Sequence, residues 1–341
     1  AQRWNERARH RNVGLVIETR PDHISAEEIR RLRALGVTKV QLGVQSLQDN
    51  VLELNRRGHS MADTRQALRL LRAAGFKIVL HWMPNLLGAT AESDRKDYAL
   101  LWSDPALRPD ELKIYPCSLL ADTELHQRWQ RGEYRPYSDE TLLELVAACK
   151  RQTPPYCRIN RVYRDIPAPN IVAGSTLSNL RQVVQRRLRE RGQRCACMRC
   201  REVRERGVPQ DGLQLCAQVY TTAGSEEHFL MLNTRADRLA GYARLSLPNT
   251  EIELGIEEIL ASALLRELHV YGPALEIGSA AAGNSAVQHR GLGMRLLQHA
   301  ERVAGAAGFA RMAVIAAVGT REYYRSHGFA RAGSYMVKAI A

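Results

Sequence analysis

No uninterrupted apolar run in the 341 residues approaches the roughly 20 needed to cross a bilayer, which excludes membrane-spanning helices as the organising principle of this chain. A cleavable signal is missing too: the chain opens on the polar Ala1-Gln-Arg-Trp-Asn-Glu-Arg7 with no initiating Met, and we expect a truncation inside a larger protein. Cysteine is scarce, and three of the seven fall within six residues. That distribution argues against a disulfide framework and for metal chemistry in a reducing compartment, the cytoplasm. Lysine is absent from Arg158 to Arg206, although this stretch of 49 residues holds thirteen Arg against four acids and supplies +9 of the formal net +13. Such a concentration is the footprint of a polyanion partner. Exclusive use of Arg favours bidentate phosphate contacts and stacking on bases over the point charge of Lys; a solvated helix face is the plain alternative. The length allows two domains with full cores.

In the C-terminal part, Gln288-His289-Arg290-Gly291-Leu292-Gly293 follows a strand-like segment at 266–272 and opens a helix striped by Leu296, Leu297, Ala300, Val303, Ala304 and Ala307. The two glycines remove Cβ atoms where backbone N–H groups must approach an anion, and the helix adds its positive dipole end. The segment reads as a cradle for the pyrophosphate of an acyl-coenzyme A. A buried-type strand at 311–318, the stretch 319–329 ending in Gly328-Phe329, and a last strand through 335–337 follow.

The N-terminal half repeats strand-like runs at 13–20, 39–46, 77–84 and 111–117, each followed by a helical pattern, which implies a parallel sheet. Ser25 and Asp139 are expected N-caps. Ligands of such sheets bind at the carboxyl ends of the strands, here 18–22, 43–46 and 83–88. Four units are too few for an eight-stranded barrel, so we expect further units upstream. Cys195, Cys197 and Cys200 can close around one tetrahedral metal, zinc by preference. Our expected fourth ligand is Cys117, with Cys149, Cys157, Cys216 and His126 as alternatives.

The stretch 288–329 resembles the C-terminal half of the acetyl-CoA-dependent N-acetyltransferase (GNAT) fold. The motifs ETRPD (18–22), GVQS (43–46), RRGH (56–59) and KIYP (113–116), joined with RVYRDIP (161–167), REV (201–203), RELHVYG (266–272) and GTREYYR (319–325), resemble the Elongator catalytic subunit family and its stand-alone microbial homologues. That resemblance implies an α/β chain with a partial parallel (β/α) radical S-adenosylmethionine barrel at 1–157, an arginine-rich linker with a zinc site at 158–210, and a GNAT-type domain at 211–341. The family's cluster-binding cysteine trio, C-x3-C-x2-C, has no counterpart here, so the ligands of a [4Fe-4S] cluster are expected upstream.

The implied activity is formation of 5-carboxymethyluridine at the wobble position of transfer RNA. C5 of uridine is poorly nucleophilic, and in the family's scheme S-adenosylmethionine, reduced by the cluster, yields a radical that abstracts hydrogen from the methyl group of acetyl-CoA. The carbon radical adds to uridine and the thioester is hydrolysed. In that scheme Glu267, Leu268, His269 and Val270 line the pantetheine arm, while Gln288, Arg290, Gly291, Leu292, Gly293 and Met294 hold the pyrophosphate. Tyr324, then Tyr323, orient or polarise the thioester, with His269 as a further catalytic candidate. Glu18, Gln45 and Met83 neighbour S-adenosylmethionine. Arg158, Arg161, Arg164, Arg186, Arg187, Arg189, Arg191 and Arg194 contact RNA phosphates around an anticodon stem-loop. Elongator-type partner subunits or a homo-oligomer belong to the same expectation, and a membrane does not. Two other readings stay open: a protein lysine acetyltransferase with Glu253 or Glu276 as base, and a non-catalytic RNA-binding scaffold.

Overall fold

Residues 1–163, 166–203, 212–271 and 291–340 are described by a computed structural model. Strands β1 (Val16–Thr19), β2 (Lys39–Gln45), β3 (Lys77–Trp82), β4 (Glu111–Ile114), a short β5 (Leu119–Leu120) and β6 (Arg158–Arg161) account for the first half. All but β5 form one parallel sheet in the order β1-β2-β3-β4-β6. The sheet therefore has five strands, and it runs past residue 157, where the sequence suggested a boundary. Arg158 pairs with Glu111 in the ladder, so the start of the arginine-rich stretch is built into the barrel.

One face of this sheet is apolar. Val40, Leu42, Val44, Ile78, Leu80, Trp82, Leu112, Ile114 and Ile159 share a core with Ile29, Leu68, Leu71 and Val146 from the returning helices. Ser25 caps the helix Ala26–Leu35 as expected, its hydroxyl accepting from the Glu28 N–H. At the helix Asp139–Gln152 the cap is Ser138 rather than Asp139: its Oγ accepts from Thr141 N at 3.2 Å, and Asp139 becomes the first helical residue. Both residue types can cap, and the extended backbone of Ser138 decides between them.

The strand β7 (Ile171–Ala173) pairs with β5, and the helix Leu180–Glu190 then buries Leu180, Val184 and Leu188 in the first core. A second sheet follows: β8 (Gln214–Thr222), β9 (Ser225–Asn233), β10 (Leu239–Pro248), β11 (Ala263–Val270), β12 (Arg311–Val314), β13 (Ala330–Ala332) and β14 (Tyr335–Ala339). Its order is β13-β14-β12-β11-β10-β9-β8, antiparallel except between β11 and β12. The helix Leu292–Ala306 covers it with Leu296, Leu297, Ala300 and Ala304, as its periodicity required; Val303 is half-buried and Ala307 caps the end in solvent.

The two sheets meet through buried charge. Asp110, just before β4, accepts from Arg266 of β11 at 2.5 and 2.8 Å and from Ile78 N at 2.9 Å, with Arg244 of β10 and Arg72 at 3.4 and 3.8 Å. Glu227 of β9 accepts from Arg266 at 3.0 Å, and all of these groups are buried. A carboxylate among several guanidinium groups is stable without water only because the charges nearly cancel locally.

Asp94 is a buried acid without such cations. It accepts from Asn85 N and Tyr137 Oη, both at 2.8 Å, and burial pushes its pKa up to about 6. The folded state thus holds the proton more tightly than the unfolded chain, where the value is near 3.8, so stability falls as pH rises from about 4 to 6. Asp94→Asn is expected to flatten that part of the stability–pH profile in urea titrations. An unchanged slope would show that Asp94 titrates normally.

Candidate active site and nucleic-acid interface

β11 and β12 pair only from Ala263↔Met312 to Leu265↔Val314, and Ile315 N still donates to Leu265 O at 3.3 Å. Beyond that point β11 is paired with β10 alone, so the other edge of residues 267–270 has no strand partner among the described residues. The helix Leu292–Ala306 starts beside this edge. Gly291 is its N-cap with φ +119°, and a Cβ on Gly293 would lie 2.7 Å from Tyr323 Oη and 4.0 Å from Val270 Cγ2. Only glycine permits this approach of tyrosine to helix N-terminus. Leu292 is buried and Met294 exposed, while Gln288, Arg290 and Glu276 lie outside the described residues.

The two tyrosines separate. Tyr323 is exposed at the helix N-terminus, whereas Tyr324 packs its ring in the second core against Phe329, and burial raises its pKa well above the ordinary value. Neither hydroxyl has a hydrogen-bond partner among the described residues. His269 is exposed beside the rings of Tyr242 and Tyr271, with crowding by protein lowering its pKa against the opposing pull of Glu267. Of the four strand-edge residues, Glu267 has a side chain already committed: it accepts from Tyr242 Oη at 2.6 Å and Arg244 Nε at 3.0 Å and pairs with Lys77. Burial opposes its ionisation, but Lys77 and Arg244 outweigh it and hold the carboxyl well below the usual range. Leu268 and Val270 pack beside the second core.

Lys77 also reaches Glu111 at 2.6 Å, so β11 abuts the second face of the parallel sheet. That face is polar. Glu111 is held by Lys39 at 2.6 Å and Asn160 at 2.5 Å, and His81 lies 3.2 Å from Glu18 and 3.0 Å from Gln41. Lys39, Lys77, His81 and Glu111 were not singled out from sequence. The signal was available: polar residues alternate through K-V-Q-L and E-L-K-I, and Lys77 and His81 flank the apolar I-V-L of β3, whereas parallel strands covered on both faces read as apolar runs.

The carboxyl ends of β1 and β2 bring three motifs together. Gln45 ends β2 at φ +68°, is 8% exposed, accepts from Met83 N at 2.8 Å through its carbonyl, and leaves its buried Oε1 without a partner. Glu18 sits across the sheet against His81. Arg57, also missed, makes no hydrogen bond or ion pair among the described residues, and its Nε is buried. Burial lowers its pKa, and the neighbouring Arg20, itself tied to Asp22 and Gly58 O, lowers it further. A half-buried guanidinium without an acid, next to a second cation at the carboxyl ends of parallel strands, is a position for an anion.

Cys195, Cys197 and Cys200 offer sulfur atoms that all lie within 4.8 Å of one another. Cys117 is not among them, which corrects the expected fourth ligand. Its N–H donates to Pro84 O at 2.9 Å, its thiol lies against Tyr134, and burial raises its pKa to about 11. The loop after β4 holds it there, in a contact sequence spacing cannot reveal. Cys149 and Cys157 are buried in the core and His126 stacks on Trp129; neither these nor Cys216 joins the group.

The arginines divide as well. Arg187 bonds Glu140 at 2.6 Å and Glu144 at 2.8 Å, Arg191 bonds Glu144 at 2.7 and 2.8 Å, and Arg158 pairs with Glu202. Acids on the facing helix and on the cysteine segment engage these three. Among the described residues Arg189 is exposed without a partner and Arg186 and Arg194 are exposed with acids no nearer than 4.0 Å, while Arg161 is exposed at the end of β6. Arg164 lies outside the described residues.

Residues 1–101 match the radical SAM superfamily and residues 109–190 the Radical_SAM C-terminal domain. Over its whole length the chain is 42% identical to the tRNA uridine(34) acetyltransferase of Dehalococcoides mccartyi, of which it covers 74%. The chain belongs to that family. It is also 38% identical to the tRNA uridine(34) acetyltransferase of Methanocaldococcus jannaschii and 35% to Elongator complex protein 3 of Homo sapiens, spanning 64% and 63% of those proteins. Among solved structures, the archaeal Methanocaldococcus infernus Elp3 with an N-terminal deletion superposes with a TM-score of 0.90 at 38% identity, covering 99% of this chain and 80% of that one. Family membership accounts for the parallel sheet. No helix among the described residues is long and apolar enough to cross a membrane.

Proposed function

We propose that this chain modifies the wobble uridine of transfer RNA with a two-carbon unit drawn from acetyl-CoA, leaving a carboxymethyl group on C5. The observation that carries the reading is the edge of β11 that has no strand partner among the described residues, beside a helix N-terminus that glycine keeps clear for Tyr323. The backbone of Glu267, Leu268, His269 and Val270 would hold the pantetheine arm, and the N–H groups of Leu292, Gly293 and Met294 its pyrophosphate. Tyr323 is the first choice for polarising the thioester, with Tyr324 behind it. This makes the second sheet a GNAT-type domain.

Glu18, Gln45, Met83 and Arg57 suit S-adenosylmethionine, with Arg57 facing its carboxylate. Bound there, that cofactor supplies the radical chemistry an unreactive carbon needs. A [4Fe-4S] cluster does not fit the residues present: the single cysteine group has C-x-C-x-x-C spacing, and Lys150 and Gln185 contact Cys200. That group suits zinc, held by three thiolates among the described residues. Because the Glu267 carboxylate is taken up by Lys77, Arg244 and Tyr242, it is not free to serve as a base for an amine, and lysine acetylation is the weaker reading.

Arg186, Arg189, Arg194 and Arg161 are the proposed phosphate contacts. Changing Arg186, Arg189 and Arg194 together to Glu is expected to weaken transfer RNA binding and to flatten the log–log salt slope by roughly 0.7 to 0.9 per lost contact. Filter binding across a salt series reads this out. Binding that ignores all three would remove transfer RNA as the substrate of this face.

A further inference from the structure

Lys150 lies near the end of the helix Asp139–Gln152 with no exposed surface, and its one polar contact among the described residues is Cys200 Sγ at 3.7 Å. Gln185, from the helix Leu180–Glu190, donates to the same sulfur at 3.4 Å. From that helix too comes Arg181, which gives one N–H to Ile159 O at 2.9 Å while its Nη1 is buried without a partner. Among the described residues no carboxylate compensates Lys150. An ammonium left unpaired in a protein interior costs several kcal/mol, and three neutral thiols would leave it so. Three thiolates around a divalent metal carry one net negative charge, which the ammonium balances. Two donors converging on Cys200 also fit a thiolate, since a thiol is a weak acceptor.

We propose that Lys150 is the charge partner of a three-thiolate metal centre, and that the occupied centre fastens the arginine-bearing helix Leu180–Glu190 to Asp139–Gln152. The proposal rests on reading the cysteines as a zinc site. It goes beyond that reading by assigning Lys150, and through it coupling metal occupancy to the seating of the helix that carries Arg186 and Arg189. The salt bridges of Arg187 and Arg191 to Glu140 and Glu144 tie the same two helices independently, so the centre completes a two-point attachment. Cys195 and Cys200 line a cavity of about 380 Å³ together with Arg189, Arg194 and Arg238, which gives a chelator access.

The test uses the purified chain in three forms, wild type, Lys150→Met and Lys150→Arg, with zinc counted by mass spectrometry and its transfer to a chromogenic chelator timed. Wild type should hold one zinc, Lys150→Met should release it at least about tenfold faster, and Lys150→Arg should stay near wild type. In parallel, Lys150 in the wild type is challenged with an amine-reactive reagent before and after chelation. It should be labelled only once zinc has gone, a result that needs no variant to fold. A wild type without zinc overturns the metal centre and the proposal together. Zinc held equally well by Lys150→Met, or labelling of Lys150 regardless of zinc, overturns the proposal and leaves the centre standing.

Discussion

Replacing Asp110 by Asn should cost this protein about 3–5 kcal/mol, the usual consequence of breaking a buried ion pair from one side. Arg266 would lose both of its bonds to the carboxylate, and the Nη1 atoms of Arg72 and Arg244, which have no hydrogen-bond partner, would lose the negative charge that balances them. Burial works against ionisation of Asp110, but Arg266, Arg244 and Arg72 outweigh it and keep the pKa below the ordinary value. Its contribution is therefore complete above the unfolded carboxyl pKa and is lost as pH falls below it. Urea unfolding at neutral pH measures the change. A loss under about 1 kcal/mol would mean that water reaches the network and that the seam does not depend on it. Because the groups belong to the residue just before β4, to β9, β10 and β11 and to the helix Met61–Ala73, the expected failure is loss of the register between the two sheets rather than local fraying.

The second large effect concerns cofactor binding. Gly293→Val places a branched side chain where even a single Cβ would stand 2.7 Å from Tyr323 Oη, at the N-terminus proposed to receive the pyrophosphate. Losing two charged hydrogen bonds at about 1.5 kcal/mol each predicts acetyl-CoA binding weaker by roughly 100-fold, with the unfolding midpoint nearly unchanged because the residue lies at the helix start. Calorimetry with acetyl-CoA tests this. Gly293→Ala combined with Tyr323→Phe removes the offending oxygen and should recover part of the affinity lost by Gly293→Ala alone. If Gly293→Val binds acetyl-CoA as the wild type does, the cradle lies elsewhere.

Much of the fold was legible because local pattern and burial agree along the chain. The first four strands, the Ser25 cap and the stripe of Leu296, Leu297, Ala300 and Ala304 all follow from periods of 2 and 3.6 residues. β6 was not legible as a strand: R-I-N-R offers one apolar residue, Ile159, and only its parallel neighbour β4 makes it part of the sheet. The glycines that open the helix were legible because Gly291 turns the chain at positive φ and Gly293 stands close to Tyr323. The order of Tyr323 over Tyr324 could not be found, since adjacent aromatics on a short helix differ only in which way the helix faces. The arginine segment was read correctly as charge and incompletely as function: Arg158, Arg187 and Arg191 meet acids 43 to 47 residues away in sequence.

The residues by themselves determined the parallel and mixed sheets, the glycine turn that opens the helix at Gly291, the cysteine group and the excess of arginine, all of which are properties of short segments. Tertiary structure alone decided what those side chains are for. It set Glu267 against Lys77 instead of leaving it as a base, kept Cys117 away from the metal group, buried Lys150 on Cys200, and left Arg57 without an acid. A charge acts through whatever stands within a few ångströms of it, and in this fold most of those neighbours are distant in sequence.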